Sequence, residues 1–386
     1  MRKVIALLAV VGAILTLHAG GVLAQEQPQT PQQNAPDSYI VVLNDNVQRP
    51  GQVANEHARQ SAAQVGFVYS HAIKGYSATI PQKQLDKIKQ DPRVAYVERD
   101  GVARAVAQTL PWGINRIDAD VSSTVAGNGS GSVSGVNAYI IDSGIYQHSD
   151  LNVVNHVNFA GGQNTDCNGH GTHVAGTVAA RDNAGDVVGV APGAPLTGVK
   201  VLGCSGSGSW SGVIAGINWV TAAASNTAGP DVANMSLGGG ANKAVDDAVM
   251  ESANKGVFYA LAAGNESDNA CNHSPARAGK GTNGILTVAA TDSGDKEASF
   301  SNYGDCVDVW APGVSVVSTR KGGGTTTMSG TSMASPHGAG GGALYLSSHL
   351  SASPSLVESA LKANATTTAN KSKDGRTITR EYVGGF

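Results

Sequence analysis

Three short stretches of this chain carry residue types suited to nucleophilic chemistry. Gly330-Thr331-Ser332-Met333-Ala334-Ser335-Pro336-His337 delivers a serine from a Gly-Thr turn to a helix expected over 333–346. Pro336 is expected within the first turn of that helix, where a missing N–H is tolerated. A hydroxyl at a helix N-terminus is well placed to react, because the positive dipole end favours developing negative charge. By itself, such a serine reads better as a helix cap. Two other stretches change that reading. Ala138-Tyr139-Ile140-Ile141-Asp142-Ser143-Gly144 is an apolar run ending in a carboxylate and a glycine turn. Asn168-Gly169-His170-Gly171-Thr172-His173-Val174-Ala175-Gly176-Thr177 opens a small-residue helix with a histidine. A hydroxyl is a poor nucleophile at neutral pH and needs a base in reach. A histidine can take its proton and return it, and a carboxylate can fix the tautomer and stabilise the imidazolium. Asp142, His170 and Ser332 supply these three parts.

On these motifs the chain resembles the subtilisin superfamily of serine proteases, and its flanks are most similar to the proteinase K-like branch. The chain order Asp, His, Ser is that of subtilisin itself. The resemblance covers nearly everything after residue 37. It implies that Ser332 attacks a peptide carbonyl, that His170 is the base, and that Asp142 orients it. It implies a structural role for His173. It also implies that Asn265, at the end of Val257-Phe258-Tyr259-Ala260-Leu261-Ala262-Ala263-Gly264-Asn265, donates to the oxyanion together with the Ser332 N–H. Without the resemblance, Asn265 reads as a turn residue.

The same resemblance implies that Gly206, Ser207, Gly208 and Ser236, Leu237, Gly238 flank an extended peptide. Such pairing reads only main-chain groups and so gives broad specificity. Ala262, Ala263 and Gly264 are expected to line a primary pocket with room for a large apolar or aromatic side chain. Four cysteines in a secreted chain imply disulfides, with three possible pairings. The family suggests Cys167 with Cys204 and Cys271 with Cys306. Asp308 matches a family calcium ligand, so structural calcium is the expected cofactor, with Asp118 and Asp120 as weaker candidates. Calcium also needs carbonyl ligands, which a sequence does not display.

Other chemistries fit less well. Asp142-Ser143-Gly144 and Asp292-Ser293-Gly294 are two Asp-Ser-Gly triplets, as in a pepsin-like aspartic protease. That fold is essentially all-β, and this chain alternates strands and helices. His170 and His173 lack the glutamate of a His-Glu-x-x-His metal motif. A catalytically dead scaffold is the non-enzymatic alternative, and the complete set of triad positions argues against it.

The elements around these motifs predict an α/β fold, with a mostly parallel sheet covered by helices on both faces. Strands are expected over 136–141, 196–202, 231–235, 257–263 and 286–290. Helices are expected over 170–180, 213–224 and 243–255. Before this region, strands over 38–43, 67–71, 76–80 and 94–97 with helices over 52–64 and 81–90 form a small α+β unit. It resembles the inhibitory propeptide of secreted subtilases. A large parallel sheet folds slowly, and a docked template would lower that barrier.

The segments read as follows: a signal peptide over 1–24, a Gln/Pro-rich spacer over 25–37, the propeptide over 38–104, and the catalytic domain over 105–386. Arg2 and Lys3 precede an apolar run, and Val22-Leu23-Ala24 fits a small-residue cleavage site, so secretion is expected. Autocleavage is expected between Arg104 and Ala107. The 386 residues carry a formal charge of −3, and the part from Ala105 onward carries −6. That balance favours neither nucleic acid nor an anionic membrane as a partner. The expected partners are protein or peptide substrates and the propeptide itself, with the chain a monomer.

Overall fold

The computed structural model describes residues 38–100 and 108–386. The signal peptide, the spacer and the expected autocleavage segment lie outside the described residues. The chain divides into two compact units, Met1–Arg104 and Ala105–Phe386.

In the smaller unit, β1 (Ser38–Leu43), β2 (Gln64–Tyr69), β3 (Gly75–Thr79) and β4 (Val94–Arg99) form one antiparallel sheet in the order β2-β3-β1-β4. Helices α1 (Pro50–Ser61) and α2 (Gln82–Lys89) join them. Alternate residues of a strand share a face, so Tyr39, Val41 and Leu43 of β1 enter one core. Val53, Ala54, Leu85 and Ile88 of the helices meet them there. The first helix starts two residues earlier than the sequence predicts, because Pro50 suits the first turn. It stops at Ala62, which is left-handed with φ 52°.

The larger unit begins with α3 (Trp112–Arg116), β5 (Asn137–Asp142) and β6 (Val153–Asn158). Next come α4 (His170–Ala179), β7 (Leu196–Lys200), α5 (Trp210–Ala224), β8 (Asp231–Met235), the short β9 (Gly239–Gly240), α6 (Lys243–Asn254) and β10 (Val257–Ala262). They are followed by the short β11 (His273–Ser274), β12 (Ile285–Thr291), β13 (Val309–Pro312), β14 (Val316–Thr319) and β15 (Thr325–Met328). The series continues with α7 (Thr331–Ser348), α8 (Pro354–Asn364), β16 (Thr366–Lys371) and β17 (Thr377–Arg380).

Among the described residues, nine strands form one sheet in the order β16-β17-β13-β12-β10-β8-β5-β7-β6. Every pairing is parallel except β16 with β17. The central strands are largely apolar because both faces are covered. Phe258 and Ala260 of β10 face α4 and α7, with Val174, Val178, Ala334 and Ala343. Val257, Tyr259 and Leu261 face α5 and α6, with Val213, Ile217, Val245 and Val249. The sequence reading missed β6. It is an edge strand, half-exposed and partly polar, so it lacks the run that marked its neighbours.

The glycine run on α7 is explained by closeness. A Cβ on Gly340 would stand 2.5 Å from Cβ of Val190, and one on Gly342 would stand 2.5 Å from the Phe258 ring. The helix therefore lies almost in backbone contact with its neighbours. Gly340→Ala gains up to about 1 kcal/mol in helix propensity, but it forces a rigid branched neighbour aside at about 1–3 kcal/mol. The expected result is a melting temperature lower by a few degrees, measured by circular dichroism against the parent protein.

Candidate active site

Asp142 is the last residue of β5, the strand flanked by β7 on one side and β8 on the other. Crossovers diverge there, and such a switch point opens a crevice at the carboxyl ends of the strands. His170 is the first residue of α4, and Ser332 is the second of α7. His170 Nδ1 lies 2.8 Å from Asp142 Oδ1 and 3.0 Å from Oδ2. Asp142 is wholly buried, whereas the His170 side chain is 26% exposed. Burial pushes the His170 imidazole down, but the charge and hydrogen bond of Asp142 outweigh it and hold its pKa above the ordinary value. Ser332 Oγ donates to the Ser236 carbonyl at 3.3 Å rather than to His170. Such bonds are often loose in the absence of substrate. His170 and Ser332 line one cleft of about 360 Å³.

Close packing brings the aspartate and histidine motifs together. A Cβ on Gly171 would come 2.1 Å from the Gly144 carbonyl and 3.2 Å from Asp142 Oδ1. Ser143 N–H donates to Asp142 Oδ1 at 2.6 Å, and Gly171 N–H donates to Ser143 Oγ at 2.9 Å. Asp166, which sequence reasoning missed, anchors the start of α4. Its buried carboxylate accepts from Asn168 N, Gly169 N and Thr172 N at 2.8–2.9 Å, and from the Ser143 and Thr172 hydroxyls at 3.0 and 2.5 Å. A carboxylate at a helix N-terminus satisfies orphan N–H groups and suits the dipole. Lys200, also missed, is buried and donates to the carbonyls of Ser143 and Leu202 at 2.7 and 2.8 Å. Burial lowers its pKa, while Asp166 and Asp142 oppose that shift. An aspartate four residues before the histidine and a lysine closing an apolar strand were the available signals.

On the serine side, α7 begins at Thr331, two residues earlier than expected. The Thr331 N–H donates to Asn265 Oδ1 at 2.8 Å, and its hydroxyl does so at 3.0 Å. The first-turn placement of Pro336 is corrected accordingly: it is the sixth residue, inside the helix. A proline there offers no N–H to the carbonyl four residues back, which is that of Ser332. The Ser236 hydroxyl donates to that carbonyl at 2.8 Å. It in turn accepts from Asn234 Nδ2 at 2.9 Å, and Asn234 Oδ1 accepts from the Ser335 hydroxyl at 2.8 Å. Asn265 is exposed, and its oxygen is held by Thr331, which leaves its amide N–H₂ as the outward donor.

Gly206, Ser207, Gly208, Ser236, Leu237 and Gly238 line the cleft, together with Asn168, Leu202, Trp210 and Val213, which the sequence did not single out. Ala262, Ala263 and Gly264 do not line it. Ala262 and Ala263 are buried, and Gly264, at φ 105°, leaves no room for a Cβ beside Asn302 and Glu266. The disulfides are Cys167–Cys204, with S–S 2.01 Å, and Cys271–Cys306, with S–S 2.09 Å. The first joins the approach to His170 to the approach to Gly206.

His173 Nε2 lies 3.1 Å from the Val316 carbonyl and 3.2 Å from that of Thr326, and burial pushes its pKa down to about 4. It ties α4 to the β14–β15 hairpin. Asp292 accepts from Gly294 N and Lys296 N within its own turn, away from Asp142, so no aspartic dyad forms. Asp308, the expected calcium ligand, is held by groups of the protein itself. Its Oδ2 accepts from Thr287 N at 2.8 Å, and its Oδ1 faces the Lys362 ammonium at 2.7 Å. Asp118 faces Arg380 at 3.7 Å. Among the described residues, no cluster of three or more His, Cys, Asp or Glu side chains could hold a metal. No helix among them is long and apolar enough to cross a membrane.

Comparison with known proteins gives two family matches: the subtilase family (Peptidase S8) over residues 134–384, and peptidase inhibitor I9 over residues 38–105. The chain is 42% identical over 368 residues to alkaline serine exoprotease A of Vibrio alginolyticus, an alignment that takes in 86% of this chain and 64% of that protein. It thus spans less than two thirds of the Vibrio protein's length. It is also 42% identical over 372 residues to an extracellular serine proteinase of Thermus sp. (strain Rt41A), covering 86% of this chain and 85% of the relative. The crystal structure of a cold adapted subtilisin-like serine proteinase superposes with a TM-score of 0.61 at 41% identity, over 70% of this chain and 97% of that one. This chain belongs to the subtilase family of serine proteases, with an I9 inhibitor domain ahead of its peptidase domain.

Proposed function

We propose that this subtilase is a secreted endopeptidase of broad specificity, made as a zymogen that processes itself. The observation that carries the reading is the bond from His170 to the buried Asp142, with Ser332 at a helix start in the same cleft. In this mechanism Ser332 Oγ adds to a peptide carbonyl while His170 Nε2 takes its proton. Asp142 holds the proton on Nδ1 and stabilises the imidazolium. The oxyanion is met by the Asn265 amide and the Ser332 N–H. His170 then returns the proton to the leaving amine, and water, activated by the same histidine, releases the acyl group from Ser332.

The substrate lies extended between Gly206–Gly208 and Ser236–Gly238, whose main chain it pairs with. Leu202, Trp210, Val213 and Leu237 give the cleft an apolar wall, in keeping with apolar or aromatic side chains as the preferred ones. Ala262, Ala263 and Gly264, which lie outside the cleft lined by Leu202, Trp210 and Val213, are kept in this reading as one wall of a separate primary pocket. The Thermus relative named extracellular supports export, and the I9 match supports a propeptide that occupies the enzyme until removed. The working form is a monomer.

The decisive experiment is the intact mass of the expressed chain with Ser332 and with Ser332→Ala. The parent is expected to lose everything before a bond between Arg104 and Ala107, whereas Ser332→Ala keeps it covalently attached. Identical processing of both would assign the cut to another protease, and the absence of processing in the parent would favour a dead scaffold. Asn265→Ala is expected to lower kcat on a peptide anilide by about a hundredfold to a thousandfold, the range set by the equivalent donor of subtilisin, with KM little changed. Only neutral His170 can accept the proton. Activity is therefore present above its pKa and lost as pH falls through it. Since Asp142 raises that pKa, the acid limb of kcat/KM is expected above the free-imidazole value of about 6.5.

A further inference from the structure

Around Lys362 Nζ the chain builds a cage of three oxygens from three separate segments. The Gly281 carbonyl lies at 2.9 Å, Asp308 Oδ1 at 2.7 Å and Glu358 Oε1 at 3.0 Å. An ammonium has three donors, and each has one acceptor here. The opposite oxygens of the carboxylates are fixed by the backbone. Thr287 N–H donates to Asp308 Oδ2 at 2.8 Å, and Asn283 N–H and Gly284 N–H donate to Glu358 Oε2 at 2.8 and 2.7 Å. Glu358 is fully buried and the Asp308 side chain is 7% exposed, so neither carboxylate can turn to water. The cage joins the loop before β12, the residue before β13, and α8.

Two carboxylates and a carbonyl are the ligand types of a hard divalent cation. Their combined charge of −2 would match one. In this chain a lysine one helical turn after Glu358 reaches into the same point. Burial lowers the Lys362 pKa, but the hydrogen bond and charge of Asp308, then of Glu358, outweigh it and hold the group protonated above its ordinary value.

We propose that the chain fills its Asp308 cation position with its own Lys362 ammonium, so that this position binds no metal and needs none. The lysine is a tethered counter-ion that ties α8 to the loop before β12. It cannot be removed by a chelator.

The test uses the full chain in the Ser332→Ala background, to suppress self-digestion. Bound calcium is counted by atomic emission after equilibrium dialysis, and melting temperature is read in calcium and in EDTA. Asp308→Asn is expected to retain as many calcium ions per chain as the parent. Its melting temperature is expected to fall by at least about 5 °C, equally in calcium and in EDTA, because it removes one of the two carboxylates that hold the Lys362 ammonium. Lys362→Gln is expected to bind one calcium more than the parent and to recover part of its lost melting temperature only when calcium is present. The proposal is overturned if Asp308→Asn loses a calcium ion relative to the parent. It is equally overturned if a folded Lys362→Gln gains neither the ion nor the calcium-dependent recovery. Should Lys362→Gln fail to fold, the calcium count of Asp308→Asn decides alone.

Discussion

A carboxylate withdrawn completely from water survives in a fold only if donors surround it, and Asp142 is such a group. It ends a strand buried on both faces, so no solvent reaches it. The Ser143 N–H and His170 Nδ1 close around it. Much of the neighbourhood serves to keep these donors in place. Asp166 gathers the first N–H groups of α4 and the Ser143 hydroxyl, which fixes the height at which the imidazole meets Asp142. Lys200 secures the Ser143 carbonyl from below. Gly171 permits the helix to come close enough, since any side chain there would strike the Gly144 carbonyl. If one of these contacts shifts, a buried charge loses a partner.

The serine side is built by close approach. α7 packs so closely that its glycines meet Val190, in the segment before β7, and the Phe258 ring of β10 without space for a methyl group. A close helix holds Ser332 at a fixed distance from Asp142, at the end of β5, and from Asn265, just beyond β10. Thr331 ties the helix start to the end of β10 by holding the Asn265 oxygen, and it also accepts from Gly264 N at 3.1 Å. One residue thus sets both where the nucleophile begins and which way the amide donor points.

Much of this was legible in the sequence because motifs with strict chemical needs leave dense local signatures. The apolar run into Asp142, the His-Gly-Thr-His helix start and the Gly-Thr-Ser turn each declare an element and a reactive group together. Parallel strands buried on both faces also stand out as unbroken apolar stretches. The residues that escaped notice act across the chain. Lys200 and Asp166 are ordinary polar residues locally, and their roles exist only once separate loops meet. The edge strand β6 was lost because half-exposed strands look like loops. The partner of Asp308 was hidden for the same reason, because the lysine that faces it lies 54 positions later, on α8.

Pro336 gives the site a mechanical property. The carbonyl it leaves without a helical partner belongs to Ser332, and the replacement donor is Ser236, from a segment that also forms a wall of the cleft. In the proposed mechanism, the wall that takes the peptide and the residue that attacks it are therefore bolted together through one hydroxyl. A peptide seated out of register cannot push that wall aside without carrying the nucleophile with it. On the proposed reading, misalignment at the grip becomes misalignment at the point of attack, and a cleft that reads main chain gains a check on position that owes nothing to side-chain identity.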